Sequence, residues 1–261
     1  MQAAQEAAQL AGRIALQHYR RNIAVDIKGD GSPVTEADRG AERAVRDWIT
    51  KRFPNDGIFG EEFGERVGTS GRRWVLDPID GTKNFVRGVP LWGSLVAVVE
   101  DEHVLAGSAC FAAVDETVSA ARGCGAWNNN VRATVSAVDN LPSATVLITD
   151  DRTLGARLSV KTWNALADSA AVYRTWGDCF GYLLVATGRA EVMVDPRANL
   201  WDIACFQPII EEAGGVFTDP GISLQLYGSL VVYVVGLSNA IKSPLEAVDQ
   251  YGTSTHRNTI P

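Results

Sequence analysis

The chain has 261 residues, 46% of them hydrophobic and 21% charged, with a formal net charge of −7. An acidic balance without a long Lys/Arg block argues against a nucleic-acid partner and leaves room for a cationic small molecule. No apolar run approaches the roughly 18–20 residues of a membrane helix. Cys110, Cys124, Cys179 and Cys205 are scattered with no C-x-x-C pair, and the N-terminus lacks the pattern of a signal peptide. A cytoplasmic protein with reduced thiols and no membrane segment is expected.

Apolar positions at Ala7, Leu10, Ala11, Ile14 and Ala15 have helical spacing and predict an amphipathic helix over 3–21. A short strand over 25–28 and a Gly-rich loop over 29–33 follow. Thr35 then opens a second helix, with Asp38 at the third helical position in a capping-box arrangement. There Asp38 is either a first-turn acid favoured by the helix dipole or a functional carboxylate. A turn over 53–57 and a strand at Ile58-Phe59 lead to Gly60-Glu61-Glu62-Phe63-Gly64, whose glutamates, taken alone, read as solvated surface.

The apolar run Trp74-Val75-Leu76 predicts a buried strand that stops at Asp77-Pro78-Ile79-Asp80-Gly81-Thr82. Two strands over 95–99 and 104–111 suggest a hairpin, and 117–120 with 125–127 extends the antiparallel pattern. Past Pro142 the rhythm changes to strand and helix in alternation. Strands are expected over 146–149, 171–174 and 192–194, and helices over 158–170 and 180–186. A helix from Asn199 to Ala213 should be kinked or displaced by Pro208. Closing strands over 216–217 and 230–236, a helix over 243–248 and a polar tail from 251 complete the chain.

Proline restrains both itself and Asp77, so two carboxylates are held close together and repel unless a cation lies between them. Glu61, Asp77, Asp80, Asp202 and Asp38 form an all-oxygen donor set without His or Cys. Such a set favours Mg²⁺ first and Mn²⁺ second over zinc. Asp77 is suited to bridge two ions, with the Ile79 carbonyl, Glu61, Asp80 and Asp202 completing the shells, an arrangement that supports in-line displacement at phosphorus. Gly81 and Thr82 would offer backbone N–H groups to phosphate oxygens. Asp202 also reads as the N-cap of the helix it begins.

Gly60-Glu61-Glu62, Asp77-Pro-Ile-Asp80-Gly-Thr82-Lys-Asn-Phe85, Trp201-Asp202 and Glu212-Ala-Gly-Gly215 resemble, in order and across most of the chain, the motifs of the inositol monophosphatase family. The resemblance implies an α/β sugar-phosphatase fold of alternating α-β-α-β-α layers. It places one phosphatase domain over 1–250, with subdomains of about 1–140 and 141–250, ahead of a tail over 251–261. It also implies two or three Mg²⁺ ions, with Mn²⁺ as a substitute, hydrolysis of a small phosphate monoester without a phospho-enzyme, and a homodimer. By motif position, Glu61, Asp77, Ile79, Asp80 and Asp202 match the metal ligands, Gly81 and Thr82 the phosphate contacts, and Thr82 with Asp38 the pair that orients water.

Trp176-Gly177-Asp178-Cys179-Phe180-Gly181-Tyr182 and Arg189-Ala-Glu-Val-Met-Val-Asp195-Pro196 are similar to the histidinol-phosphate phosphatases of that family. Extra carboxylates at a pocket mouth would favour a substrate carrying an ammonium and an imidazole over a neutral polyol. Asp178 and Asp195 are the candidates, against readings as an N-cap and a strand-end acid. The alternatives are an inositol-1-monophosphatase, another small-ester phosphatase, or a regulatory binding protein reusing the fold. The segment 227–236 is bulkier than the polar ending usual in the family, which places the C-terminal pocket wall outside the match.

Overall fold

Buried alanines build the first layer. Ala4, Ala7, Ala8, Ala11 and Ala15 recur at helical spacing and are all inaccessible, which lets α1 (Gln2–His18) lie close against its neighbours. The computed structural model describes residues 1–101, 103–153, 160–218 and 230–235. A small ribbon of β1 (Val25–Ile27) and β2 (Pro33–Thr35) leads into α2 (Glu36–Arg52). Both helices cover one face of an eight-stranded sheet. Its strands are β3 (Gly57–Gly60), β4 (Gly64–Arg66), β5 (Arg72–Asp80), β6 (Gly93–Glu100), β7 (His103–Phe111), β8 (Glu116–Ala121), β9 (Gly125–Asn128) and β10 (Val131–Arg132). The order is β10-β9-β8-β7-β6-β5-β3-β4, antiparallel except where β3 meets β5. The short helix α3 (Thr82–Val86) leaves the end of β5 and is fixed by Phe85, buried against Trp92 and Tyr19.

The second sheet joins β11 (Thr145–Ile148), β12 (Val172–Arg174) after α4 (Val160–Ser169), and β13 (Val192–Ala198) after α5 (Asp178–Ala186). Beyond α6 (Leu200–Ile203) and α7 (Phe206–Glu212), β14 (Val216–Thr218) and β15 (Leu230–Val235) close it in the order β12-β11-β13-β15-β14. Side chains alternate across each strand, and the alternation sorts the layers. Leu147 and Met193 pack inward with Tyr182, Phe206 and Ile209 against Val75 and Leu95 of the first sheet. Val146, Ile148, Val192 and Val194 pack outward on Trp163 and Leu166 of α4. The result is the expected α-β-α-β-α layering, with α5, α6 and α7 between the sheets.

Several boundaries differ from expectation for identifiable reasons. Strand β5 does not stop at Asp77 but continues through Pro78 to Asp80, because an irregularity in its pairing with β6 absorbs the proline. Likewise β13 runs past Asp195 to Ala198, with a register shift between them. The predicted 199–213 helix is two helices; Pro208 falls in the first turn of α7, where its missing N–H costs nothing. The N-caps are Asn199 and Gly177, so neither Asp202 nor Asp178 is itself an N-cap. Strands β2 and β4 were not anticipated, each being three residues long. The expected 243–248 helix and the 251–261 tail lie outside the described residues, as do residues 227–229 and 236 of the atypical segment.

Candidate metal and phosphate site

The motif Asp77-Pro-Ile-Asp80 works through a β-bulge. Asp77 pairs with Leu95 and Asp80 with Gly93, so Pro78 and Ile79 together oppose Ser94 alone. In a regular strand residues three apart face opposite sides. The extra residue turns both carboxylates to one side, where they meet Asp202 with ligand atoms all within 4.8 Å of one another. Pro78 occupies the bulge without losing a ladder hydrogen bond of its own, and its carbonyl accepts from Ser94 Oγ at 2.6 Å. The Ile79 N–H donates to Asp77 Oδ1 at 3.0 Å, fixing that carboxylate from within the bulge.

Two further acids are held by the same device on different helices. Asp38 and Asp202 are each the third helical residue of a capping box. Asp38 Oδ2 accepts from Thr35 N at 2.8 Å and Thr35 Oγ1 at 2.5 Å; Asp202 Oδ2 accepts from Asn199 N at 2.6 Å and Asn199 Nδ2 at 3.2 Å. Asp38 is therefore a cap and more than a cap. Its other oxygen lies 3.3 Å from Thr82 Oγ1, whose hydroxyl also lies 2.9 Å from the Ile79 carbonyl. Gly81 precedes Thr82 at φ +83°, and a Cβ there would sit 2.7 Å from the Leu91 carbonyl, so both conformation and space require glycine.

Glu61 leaves the end of β3, its N–H donating to Leu76 O at 3.1 Å, and its carboxylate pairs with Lys28 Nζ at 2.8 Å. Glu62 pairs with the same ammonium at 2.6 Å. Burial pushes the Glu61 carboxyl up against the opposing pull of Lys28. Burial and then the charge of Glu61 push Asp77 well up; burial and then Asp178 and Asp202 do the same to Asp80. Asp202 is pushed up to about 7 and Asp178 to about 6, burial being the main cause of each. Acids this crowded are not stable as anions by themselves, and an all-oxygen set fits a hard divalent cation that neutralises them. Asp178, Asp195 and Thr149 line a cavity of about 60 Å³ together with Asp80, Tyr182 and Asp202. The Asp178 carboxylate accepts from Asn84 Nδ2 at 3.1 Å, and Cys179 N donates to Asp80 Oδ2 at 2.5 Å.

Comparison with known proteins agrees with this geometry. Residues 1–250 match the model of the inositol monophosphatase family. The chain belongs to the inositol monophosphatase family. A histidinol-phosphatase of Chlorobaculum parvum is 44% identical over 220 residues, covering 84% of this chain and 85% of that protein. One of Mycobacterium tuberculosis is 38% identical over 202 residues, covering 76% and 78%. The solved structure of an inositol monophosphatase from Zymomonas mobilis superposes with a TM-score of 0.82 at 29% identity, covering 95% of this chain and 96% of that one. Membership makes the chain a phosphoric monoester hydrolase of a metal-dependent family acting on small phosphate esters. Among the described residues no helix is long and apolar enough to cross a membrane.

The structure brings Asp77, Asp80 and Asp202 into one cluster, with Glu61 beside Asp77 and Asp38 beside Thr82. Asp178 and Asp195 reach the adjoining cavity. Reasoning from the family motifs alone missed Lys28, Thr149 and Tyr182. Lys28 ends a short strand before a Gly-rich loop, which says nothing of a partner 33 residues away. Tyr182 reads as one apolar residue of α5, yet its phenol lies among Asp195, Asp202 and Asp80.

Proposed function

We propose that this phosphatase is a Mg²⁺-dependent histidinol-phosphate phosphatase, hydrolysing L-histidinol phosphate to L-histidinol and phosphate in histidine biosynthesis. The observation that carries the reaction is the carboxylate cluster of Asp77, Asp80 and Asp202; similarity to histidinol-phosphatases supports the substrate. Glu61, Asp77, the Ile79 carbonyl, Asp80 and Asp202 would hold two or three Mg²⁺ ions, for which Mn²⁺ can substitute. Bound metal supplies positive charge to the phosphoryl oxygens and makes water a stronger acid. Asp38 and Thr82 orient the attacking water: the buried Asp38 carboxylate, fixed by Thr35, draws the threonine hydroxyl and through it the water proton. The N–H groups of Gly81 and Thr82 contact the phosphate.

Asp178 and Asp195 supply negative charge to the cavity that they line with Asp80 and Asp202 and would receive the substrate ammonium. A working homodimer in the cytoplasm, with 1–250 as one phosphatase domain, completes the proposal. A second reading, hydrolysis of inositol phosphate, is supported by the likeness to the Zymomonas mobilis enzyme. Initial rates on histidinol phosphate and inositol 1-phosphate with Mg²⁺, and again after chelation, decide between them. Preference for histidinol phosphate and loss of activity in Asp80→Asn are expected. Faster turnover of the inositol ester would overturn the substrate; phosphate release undiminished in Asp80→Asn would overturn the metal assignment.

A further inference from the structure

Glu42 is a carboxylate buried in the first layer that no part of the mechanism uses. It is 1% exposed on α2, one helical turn beyond Asp38. Its Oε2 accepts from the Glu62 N–H at 2.8 Å, and its Oε1 accepts from the Phe63 N–H at 3.2 Å and from Arg46 Nε at 2.7 Å. Arg46 also donates to the Gly64 carbonyl. The backbone immediately after Glu61 is thus gripped by two oxygens of one side chain, while the Glu61 N–H is tied to Leu76 of β5. Gly60 is what admits this grip: a Cβ there would fall 2.1 Å from Glu42 Oε1.

Glu42 meets donors at both oxygens, the Glu62 N–H at Oε2 and the Phe63 N–H with Arg46 Nε at Oε1, whereas a carboxamide has one accepting oxygen and would turn its NH2 toward a donor at the other position. An ordinary surface acid would stabilise the turn only weakly; this one is desolvated, paired and aimed at the residue following a ligand candidate. We infer that Glu42 is a positioning residue that sets the backbone of Glu61 and thereby the affinity of the site for its cation. The inference rests on the reading of Glu61 as a metal ligand. Together with Asp38 it makes α2 a single rigid support, holding the water-orienting acid at its first turn and the Glu61 turn from its second.

The test measures Mn²⁺ binding to the intact chain by calorimetry for wild type, Glu42→Gln and Glu61→Gln, with melting curves in EDTA for each. Partners that orient metal ligands typically contribute 10–100-fold to affinity, so Glu42→Gln should bind Mn²⁺ roughly 10-fold more weakly. Glu61→Gln should lose at least as much. Raising the metal concentration should restore kcat in Glu42→Gln, with the defect appearing in the metal concentration needed. A role in stability alone would lower the melting temperature and leave Mn²⁺ affinity unchanged. Wild-type affinity in Glu42→Gln beside weakened Glu61→Gln would overturn the inference and spare the ligand reading. Wild-type affinity in Glu61→Gln would overturn both. If Glu42→Gln does not fold, Arg46→Met, which removes one of the two donors to Glu42 Oε1, is measured in its place; unchanged affinity there overturns the inference too.

Discussion

Removing a carboxylate from the cluster should stabilise the metal-free protein while abolishing its response to metal. Asp202→Asn is the informative change, because asparagine keeps the shape and one acceptor oxygen for Asn199. Asp202 is raised from 3.8 to about 7 by burial. A carboxyl raised in the folded state contributes fully when it is protonated below about pH 4, and that contribution is lost as pH rises through about 7. Above pH 7 the ionised form disfavours folding by about 4 kcal/mol, which is the raise converted at about 1.4 kcal/mol per pH unit. The weaker cap made by a neutral side chain returns about 1 kcal/mol. The net gain of about 3 kcal/mol at pH 8 corresponds to a melting temperature higher by roughly 6–12 °C for a chain of this size. Scanning fluorimetry in EDTA at pH 5 and pH 8, then with Mg²⁺, measures it. The advantage should shrink to below about 1 kcal/mol at pH 5, and Mg²⁺ should stabilise the parent but not the variant. A variant that melts no higher than the parent at pH 8 would refute the reasoning, as would an advantage equal at both pH values.

Lys28→Met removes the ammonium that neutralises Glu61 and Glu62. The metal-free protein should lose about 1–2 kcal/mol and the Mg²⁺-induced rise in melting temperature should grow; an unchanged rise would show that Lys28 and the metal do not share Glu61. Asp178→Asn should lower kcat/KM for histidinol phosphate roughly 10–100-fold, as for a lost charge-assisted contact, and leave a neutral aryl phosphate nearly unaffected. Equal losses on both substrates would remove Asp178 from selectivity. Asp178 also sits at φ +48°, so Asp178→Gly should be more stable than Asp178→Ala by about 1 kcal/mol in urea unfolding. An alanine variant of equal stability would show that the backbone relaxes.

What the sequence disclosed and what it withheld divide along range of interaction. Helical spacing of Ala7, Ala11 and Ala15, and the Thr35–Asp38 capping box, are local patterns, and both appear in the structure where expected. The acids of Asp77-Pro-Ile-Asp80 were legible as crowded carboxylates. The bulge that aims them together was not, because it depends on the register with Leu95 and Gly93 of another strand. Asp202 was legible as a ligand candidate at a helix start; the alternative reading as the helix cap fails, because Asn199 three residues earlier takes that place with an equally good side chain. The grip of Glu42 on the turn after Glu61 was invisible, because glutamate at a buried helix position reads as part of the polar face.

The groups that would carry the reaction and those that would select the substrate are not separated in space. The N–H of Cys179, one residue beyond Asp178, donates to the carboxylate of Asp80. The Asp178 carboxylate is held by Asn84, three residues beyond Gly81, and its N–H donates to Thr149 Oγ1 at 2.9 Å. The strained residue that would choose the substrate is therefore held by Asn84 of α3 at its carboxylate and by Thr149 at its N–H. A cation drawing Asp80 toward itself changes the charge that Cys179 N meets, and with it the start of α5. Metal identity and substrate preference should then vary together: the ratio of kcat/KM for a cationic to a neutral ester should differ between Mg²⁺ and Mn²⁺. That ratio would be independent of the metal only if the Asp80–Cys179 contact transmitted nothing, which a 2.5 Å charge-assisted hydrogen bond in a buried site makes the less reasonable physical expectation.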